Sequence, residues 1–148
     1  MIHPIVACAR GWIGTRFHHQ GRLRKTESHK GVVDCLGLLI GVAAELGLRG
    51  ADGRLLAEAD ETHYPPQPDV KKLKQRLSML LHPIPIAGIS SGDILLLRID
   101  DNPQHMAIVS DASEGFGIIH SYAPARGVVE HALDAWWHEC IEAAYRIL

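Results

Sequence analysis

The sequence predicts an α+β fold in which helices come first and a mostly antiparallel sheet of five or six strands follows. Two observations predict this order. Apolar residues recur at helical spacing in residues 4–12 and 35–46, whereas short apolar runs bounded by turn residues follow residue 92. Helices and a sheet that each carry an apolar face are expected to pack on one another as layers.

The first predicted helix covers residues 4–12 and begins with proline, which favours a helix start. Ile5, Ala9 and Trp12 lie on one face at helical spacing. Cys8 belongs to the same segment, and we expect it to be a packing residue.

The second predicted helix begins at Cys35, with Asp34 as its N-cap and Gly47 as its C-terminal stop. Its apolar stripe consists of Leu36, Leu39, Ile40, Ala43 and Leu46.

A thiol at a helix start has a chemical consequence. The unpaired amides and the positive end of the helix dipole favour thiolate, so we expect the pKa of Cys35 to fall below the usual value of about 8.5. This predicts a nucleophile. The alternative is that Cys35 is a small buried apolar residue.

The middle of the chain has fewer signals. Residues 48–68 contain Gly50, Gly53 and several prolines, which predicts an extended surface connection. An amphipathic helix over about residues 70–81 follows. Its lysines and arginines are expected to form a solvated face, and a binding role for that face is the alternative.

The strands are predicted at residues 93–99, 104–109 and 116–122, then at 127–131, with a helical turn at 133–137 and a closing strand at 143–148. If Ser110 opposes Gly115, the register continues to place His105 opposite His120, with Cβ atoms about 4.5–5.5 Å apart. A slip of one residue would separate the two rings.

Two neighbouring imidazoles suit a general base and a residue that orients it, because a neutral histidine needs a partner on its second nitrogen to fix the tautomer. With Cys35 they predict a Cys-His-His triad. A histidine pair that only packs, or that binds a stray metal, is the alternative.

Five segments together resemble the NlpC-type papain-like cell-wall cysteine peptidases, most of all the branch found in phage tails and gene-transfer particles. They are Trp12–Gln20, Asp34–Leu38, Gly92–Leu96, His105–Ile108 and Ile119–His120. The resemblance implies Cys35 as nucleophile, His105 as base and His120 as its orienting residue. It also implies a stem-peptide substrate, cut between γ-D-glutamate and a diamino acid.

The chain departs from that family at two places. Leu36 replaces a serine after the cysteine, and Arg16-Phe17 stands where a Pro-Tyr pair is usual. The resemblance implies that Asp34 helps hold the substrate amine. Phe17, His19 and Gln20 are the other candidate substrate-binding residues, and His19 or Gln20 would replace the missing tyrosine hydroxyl.

Composition favours one domain over residues 1–148, since 47% apolar residues suffice for a single core. With a net charge of −2, nucleic acid is not an expected partner. Three cysteines without a CxxC pair predict neither a disulfide framework nor a zinc site, and no metal or cofactor is expected.

No membrane-spanning run or secretion signal is found, so we expect synthesis in the cytoplasm and no membrane partner. Export would then depend on a phage tail or a lysing host, and the virion or phage tail is the expected location. Peptidoglycan stem peptide is the expected substrate, and phage tail proteins are the expected macromolecular partners. Two rival functions are another cysteine amidase or acyltransferase, and a tail or assembly protein whose catalysis has lapsed.

Overall fold

The three longer helices precede the long strands along the chain, so the predicted α+β class is confirmed. The computed structural model describes residues 1–60, 70–99 and 102–147. Residues 61–69 of the predicted surface connection, and Leu148 of the predicted closing strand, lie outside the described residues. The assignment of residues 1–148 to one domain stays a prediction.

Four helices are described: α1 (Pro4–Arg10), α2 (Cys35–Leu46), α3 (Val70–Leu80) and the short α4 (Ala135–Glu139). Asp34 caps α2 by accepting a hydrogen bond from the Gly37 amide, and Gly47 ends that helix in the left-handed conformation. Both predicted boundaries of α2 are therefore confirmed. None of the helices in the described ranges has the length and apolar content needed to cross a membrane.

Nine strands form one sheet in the described part of the chain, in the order β2-β3-β1-β8-β7-β6-β5-β9-β4. Their bounds are β1 (Arg16–Phe17), β2 (Arg22–Leu23), β3 (Val32–Val33), β4 (His82–Ile84), β5 (Ile94–Ile99), β6 (Asn102–Asp111), β7 (Phe116–Tyr122), β8 (Gly127–Ala132) and β9 (Ile141–Arg146).

The predicted count of five or six strands is wrong, because β1 to β4 are only two or three residues long. Segments of that length carry too few residues to show a period of two. The prediction of mostly antiparallel pairing is confirmed: β1 and β3 run parallel, whereas the other pairs of named strands are antiparallel.

Both faces of the central strands are buried. Ile94, Leu96 and Ile108 pack with α1 and α2 on one face. Leu95, Leu97 and their neighbours form a second cluster on the other face, against the 3-10 turn after β4 and Trp137 of α4. This double burial explains why residues 94–97 are all apolar rather than alternating.

The core face of α2 differs in part from the predicted stripe. Leu38, Val42 and Ala43 are buried, whereas Leu36 and Leu39 are half-buried and Leu46 is exposed. The helix is apolar on more than one side, so periodicity alone does not identify the side that meets the sheet.

The first turn of α2 lies very close to the segment that precedes β2. A Cβ atom added at Gly37 would meet the carbonyl oxygen of Gly21 and a methyl group of Val33. The absence of a side chain at position 37 therefore lets the start of α2 approach this segment.

We expect Gly37→Ala to lower the free energy of unfolding by about 1–3 kcal/mol, the range for overpacked sites, because the new methyl group meets backbone atoms. Gly88→Ala is the matched control, since its Cβ would meet only Pro85, at 3.9 Å. Urea denaturation of both variants measures the difference. Equal unfolding midpoints would show that α2 does not need this close approach.

Candidate active site

Cys35 is the first residue of α2 and is half-buried. The backbone amides of Met106, Leu36 and Cys35 itself act on its sulfur and lower the pKa of the thiol. Met106 follows His105 directly on β6, so this contact brings the thiol to the strand that carries the predicted base. Cys35 and His105 also line the same cavity, of about 1340 Å³.

The predicted lowering of the thiol pKa is wrong for the protein without substrate. Burial raises the pKa of Cys35 to about 11, and the negative charge of Asp34 raises it further, while the three amides oppose both effects. Loss of hydration outweighs the favourable helix start because the sulfur lies between α2 and β6. The resting side chain is therefore a neutral thiol at pH 7.

Asp34 is buried, at 4% exposure, and holds the start of α2 in place. Its Oδ1 accepts from the Gly37 amide at 2.8 Å and from Arg22 Nη1 at 3.0 Å, and its Oδ2 accepts from the Gln20 amide at 2.8 Å. The capping role predicted from the sequence is confirmed. The amine-binding role that the resemblance implies stays a prediction.

The histidine pair forms, but not by the predicted register. The β6–β7 ladder pairs Val109 with Ile118 rather than with Phe116, a shift of two residues. Because side chains alternate with a period of two, this shift keeps His105 and His120 on one face. The two histidines are diagonal neighbours, and His105 Nε2 lies 2.6 Å from His120 Nδ1.

A third histidine, which the sequence analysis did not select, extends this pair. His131 on β8 has its Nε2 atom 2.8 Å from His120 Nε2, and its Nδ1 atom lies 3.0 Å from the Ala132 carbonyl oxygen. The β7–β8 ladder pairs His120 with Val129, so His131 is again displaced by two residues. We call His105, His120 and His131 the histidine row. Only the strand pairing reveals its third member.

Aromatic side chains enclose the middle of the histidine row. Tyr122 stacks on His120 with ring centroids 5.0 Å apart, and Trp137 meets the same ring edge-on at 5.2 Å. His120 is fully buried. Burial lowers the pKa of His105 to about 4, and burial together with the neighbouring histidines lowers the pKa of His120 to about 2. Both rings are therefore neutral at pH 7.

Of the four predicted substrate-binding residues, three line the cavity and one does not. Phe17, His19 and Asp34 line the cavity that contains Cys35 and His105. Gln20 is not among the lining residues that the structure describes, and its backbone amide bonds Asp34 instead. Tyr122, which sequence analysis missed, contributes an aromatic wall on the histidine side.

The expectation that the protein binds no metal stays a prediction. Within residues 1–60, 70–99 and 102–147, no group of three His, Cys, Asp or Glu side chains has the arrangement of a metal site. The three histidines follow one another in a row and contact one another through their ring nitrogens.

The buried neutral histidines predict a specific acid sensitivity. Unfolded histidine takes up a proton below about pH 6.5, whereas the lowered pKa keeps folded His120 neutral, so the free energy of unfolding falls as pH falls from about 6.5 to 4. One such group contributes a slope of up to about 1.4 kcal/mol per pH unit.

We expect His120→Gln to reduce this slope by about 1 kcal/mol per pH unit between pH 6 and 4, measured by urea unfolding at several pH values. His138→Gln, at an exposed histidine on α4, controls for the loss of a histidine. Parallel pH dependence in the wild type and His120→Gln would contradict the neutral buried state.

Comparisons with known proteins identify the fold. No family model matches the chain, and no curated protein matches it. A solved structure named as an N-acetylmuramoyl-L-alanine amidase from Bacteroides uniformis matches with a TM-score of 0.56 and 14% identity, over 97% of this chain and 98% of that chain.

A second solved structure of an N-acetylmuramoyl-L-alanine amidase from Bacteroides uniformis matches with a TM-score of 0.55 and 14% identity, over 98% of this chain and 97% of that chain. A protein from Bacteroides fragilis named as a candidate xylanase matches with a TM-score of 0.56 and 12% identity, over 96% and 100% of the two chains. The matched structures share one fold but are named for two different activities. At sequence identities of 12–14%, the similarity shows the fold alone. The chain has the fold of these cell-wall amidase-like structures.

Proposed function

We propose that this protein is a cysteine hydrolase that cleaves an amide bond in peptidoglycan. One observation carries the proposal. A thiol at a helix start lies against the backbone of Met106, the neighbour of His105, and the His105 ring is held by a 2.6 Å contact with a buried second histidine. Nucleophile, base and orienting residue are the three parts that thiol-based amide hydrolysis requires.

In the proposed first step, His105 accepts the thiol proton as the Cys35 sulfur attacks the substrate carbonyl carbon. Nε2 of His105 contacts His120, so Nδ1 is the ring nitrogen that receives this proton. Attack forms the carbon–sulfur bond and places a negative charge on the carbonyl oxygen. The backbone amides of Cys35 and Leu36, at the positive end of α2, are the candidate donors to that oxygen.

In the second step, the protonated His105 delivers its proton to the leaving nitrogen as the carbon–nitrogen bond breaks. The product amine departs and a thioester remains on Cys35. Water then attacks the thioester with His105 as the base, which releases a carboxylic acid and restores the thiol. Protons and electron pairs balance over the cycle without a cofactor.

The raised thiol pKa is compatible with this scheme. Burial disfavours both thiolate and imidazolium, so the resting pair is neutral and the proton transfer accompanies the attack. A substrate that fills the cavity also displaces water, which strengthens the interactions of the developing charges with the amides.

We further propose that the chain is an NlpC-type peptidase and that its target is the bond between γ-D-glutamate and a diamino acid in the stem peptide. The ordered motifs around Cys35, His105 and His120 support this finer assignment. Phe17, His19 and Asp34 on the cavity wall are the proposed substrate contacts, with Gln20 acting through Asp34. Delivery with a phage tail, after synthesis in the cytoplasm, is part of the same proposal.

The second candidate is cleavage between N-acetylmuramic acid and L-alanine, which the names of two structural neighbours favour. The chemistry is the same and only the bond differs. Mass spectrometry of products from defined muropeptides separates the candidates, because one cut frees the whole stem peptide and the other divides it. Absence of any cleavage would favour a tail protein whose catalysis has lapsed.

Removal of the sulfur tests the nucleophile. We expect Cys35→Ala to abolish muropeptide cleavage, with little change in thermal stability because the substitution removes one atom from a half-buried site. Cys140→Ala, at a cysteine outside the cavity, is the control and retains the wild-type rate. Turnover by Cys35→Ala would show that another group attacks the substrate.

The pH profile tests the base. His105 must be unprotonated to accept the thiol proton, and its pKa of about 4 lies below the usual histidine value, so the lowered pKa extends activity toward acid. We expect kcat/KM to fall only below about pH 4.5. Samples returned to pH 7 after each exposure control for unfolding, and an acid limb centred near pH 6.5 would contradict a buried neutral base.

A further inference from the structure

The histidine row ends on a backbone carbonyl, and this end fixes the hydrogen positions along the whole row. His131 Nδ1 lies 3.0 Å from the Ala132 carbonyl oxygen, within hydrogen-bond distance. A carbonyl oxygen only accepts, so Nδ1 of His131 carries the hydrogen. In a neutral ring the other nitrogen, Nε2, is then an acceptor.

The same reasoning passes to the next two rings. Since Nε2 of His131 accepts, Nε2 of His120 donates across the 2.8 Å contact, and Nδ1 of the neutral His120 ring becomes an acceptor. His105 therefore donates from Nε2 across the 2.6 Å contact. Its Nδ1 atom is left with a lone pair, as a general base requires.

We propose that His131, anchored on the Ala132 carbonyl, is a positioning residue that sets the tautomer of the entire histidine row and so keeps Nδ1 of His105 able to accept the thiol proton. For catalysis, the inference rests on the proposed function. The tautomers themselves do not depend on any substrate. His131 touches neither Cys35 nor the cavity that Cys35 lines, so it acts through His120.

The surroundings of the row keep its rings from turning. Trp137 packs at 4.9 Å from the His131 ring and at 5.2 Å from the His120 ring, while Tyr122 covers a face of His120. Burial keeps the His105 and His120 rings neutral. If each ring carries one hydrogen, the row in these orientations has a single hydrogen-bonded arrangement that satisfies the terminal carbonyl.

The direct test is the tautomer of each ring in the wild-type protein at pH 7, read from the ¹⁵N shifts of the imidazole nitrogens. We expect His105 and His120 to carry hydrogen on Nε2, and His131 to carry it on Nδ1. Hydrogen on Nε2 of His131, or on Nδ1 of His105, overturns the proposal. This measurement needs no variant and no activity.

Two variants test the role of His131. His131→Phe removes the acceptor for His120, so we expect mixed tautomers at His120 and His105 and a kcat about tenfold lower, at the lower end of losses known for outer partners of a catalytic site, with KM little changed. His131→Gln offers an amide oxygen to His120, and we expect it to restore both the tautomers and kcat. His138→Phe, next to Trp137 but outside the row, is the matched control.

The tautomer measurements test the role of His131, whereas muropeptide cleavage tests the proposed function, so the two can fail independently. Unchanged tautomers in a folded His131→Phe, or a folded His131→Gln that behaves like the phenylalanine variant, overturn the positioning role. If His131→Phe does not fold, the wild-type spectrum and His131→Gln decide. A wild-type protein with the expected tautomers that cleaves no muropeptide would overturn the proposed function and leave the assignment of the row intact.

Discussion

The structure depends on how the start of α2 is held against the sheet. Asp34 caps this helix and also accepts hydrogen bonds from the Gln20 amide and from Arg22, which joins the helix start to β2 and the segment before it. Gly37 permits the close approach. The sulfur of Cys35 is thereby brought to the Met106 amide, next to His105. The contacts of Asp34 and the close approach at Gly37 therefore bring the thiol near the imidazole of His105, although 70 residues separate the two along the chain.

The sheet contributes the other half of the site through a regular offset. His105, His120 and His131 come from three adjacent strands, each displaced by two residues from direct opposition. An even offset keeps all three on one face, and the diagonal spacing suits ring-to-ring hydrogen bonds at 2.6 and 2.8 Å. Aromatic neighbours then enclose His120 at the middle of the row, and burial keeps His105 and His120 neutral.

Burial shifts the pKa values of Cys35 and His105 in opposite directions, and both shifts favour an uncharged resting state. It raises the thiol pKa and lowers the imidazole pKa, so both groups are uncharged before substrate arrives. A dipole argument from the helix start alone gives the wrong direction for the thiol, because it neglects the loss of water around the sulfur. The surroundings of a nucleophile therefore matter as much as its position on a helix.

The sequence by itself determined the α+β order and both ends of α2, since capping residues and apolar periodicity are local signals. It also put His105 and His120 on one face despite the wrong register, because strand side chains alternate with a period of two. Tertiary structure decided the strand register, the two-residue strands, the sign of the thiol pKa shift and the presence of His131 in the row. Each of these depends on residues that are distant along the chain, whose pairing and burial no local pattern encodes.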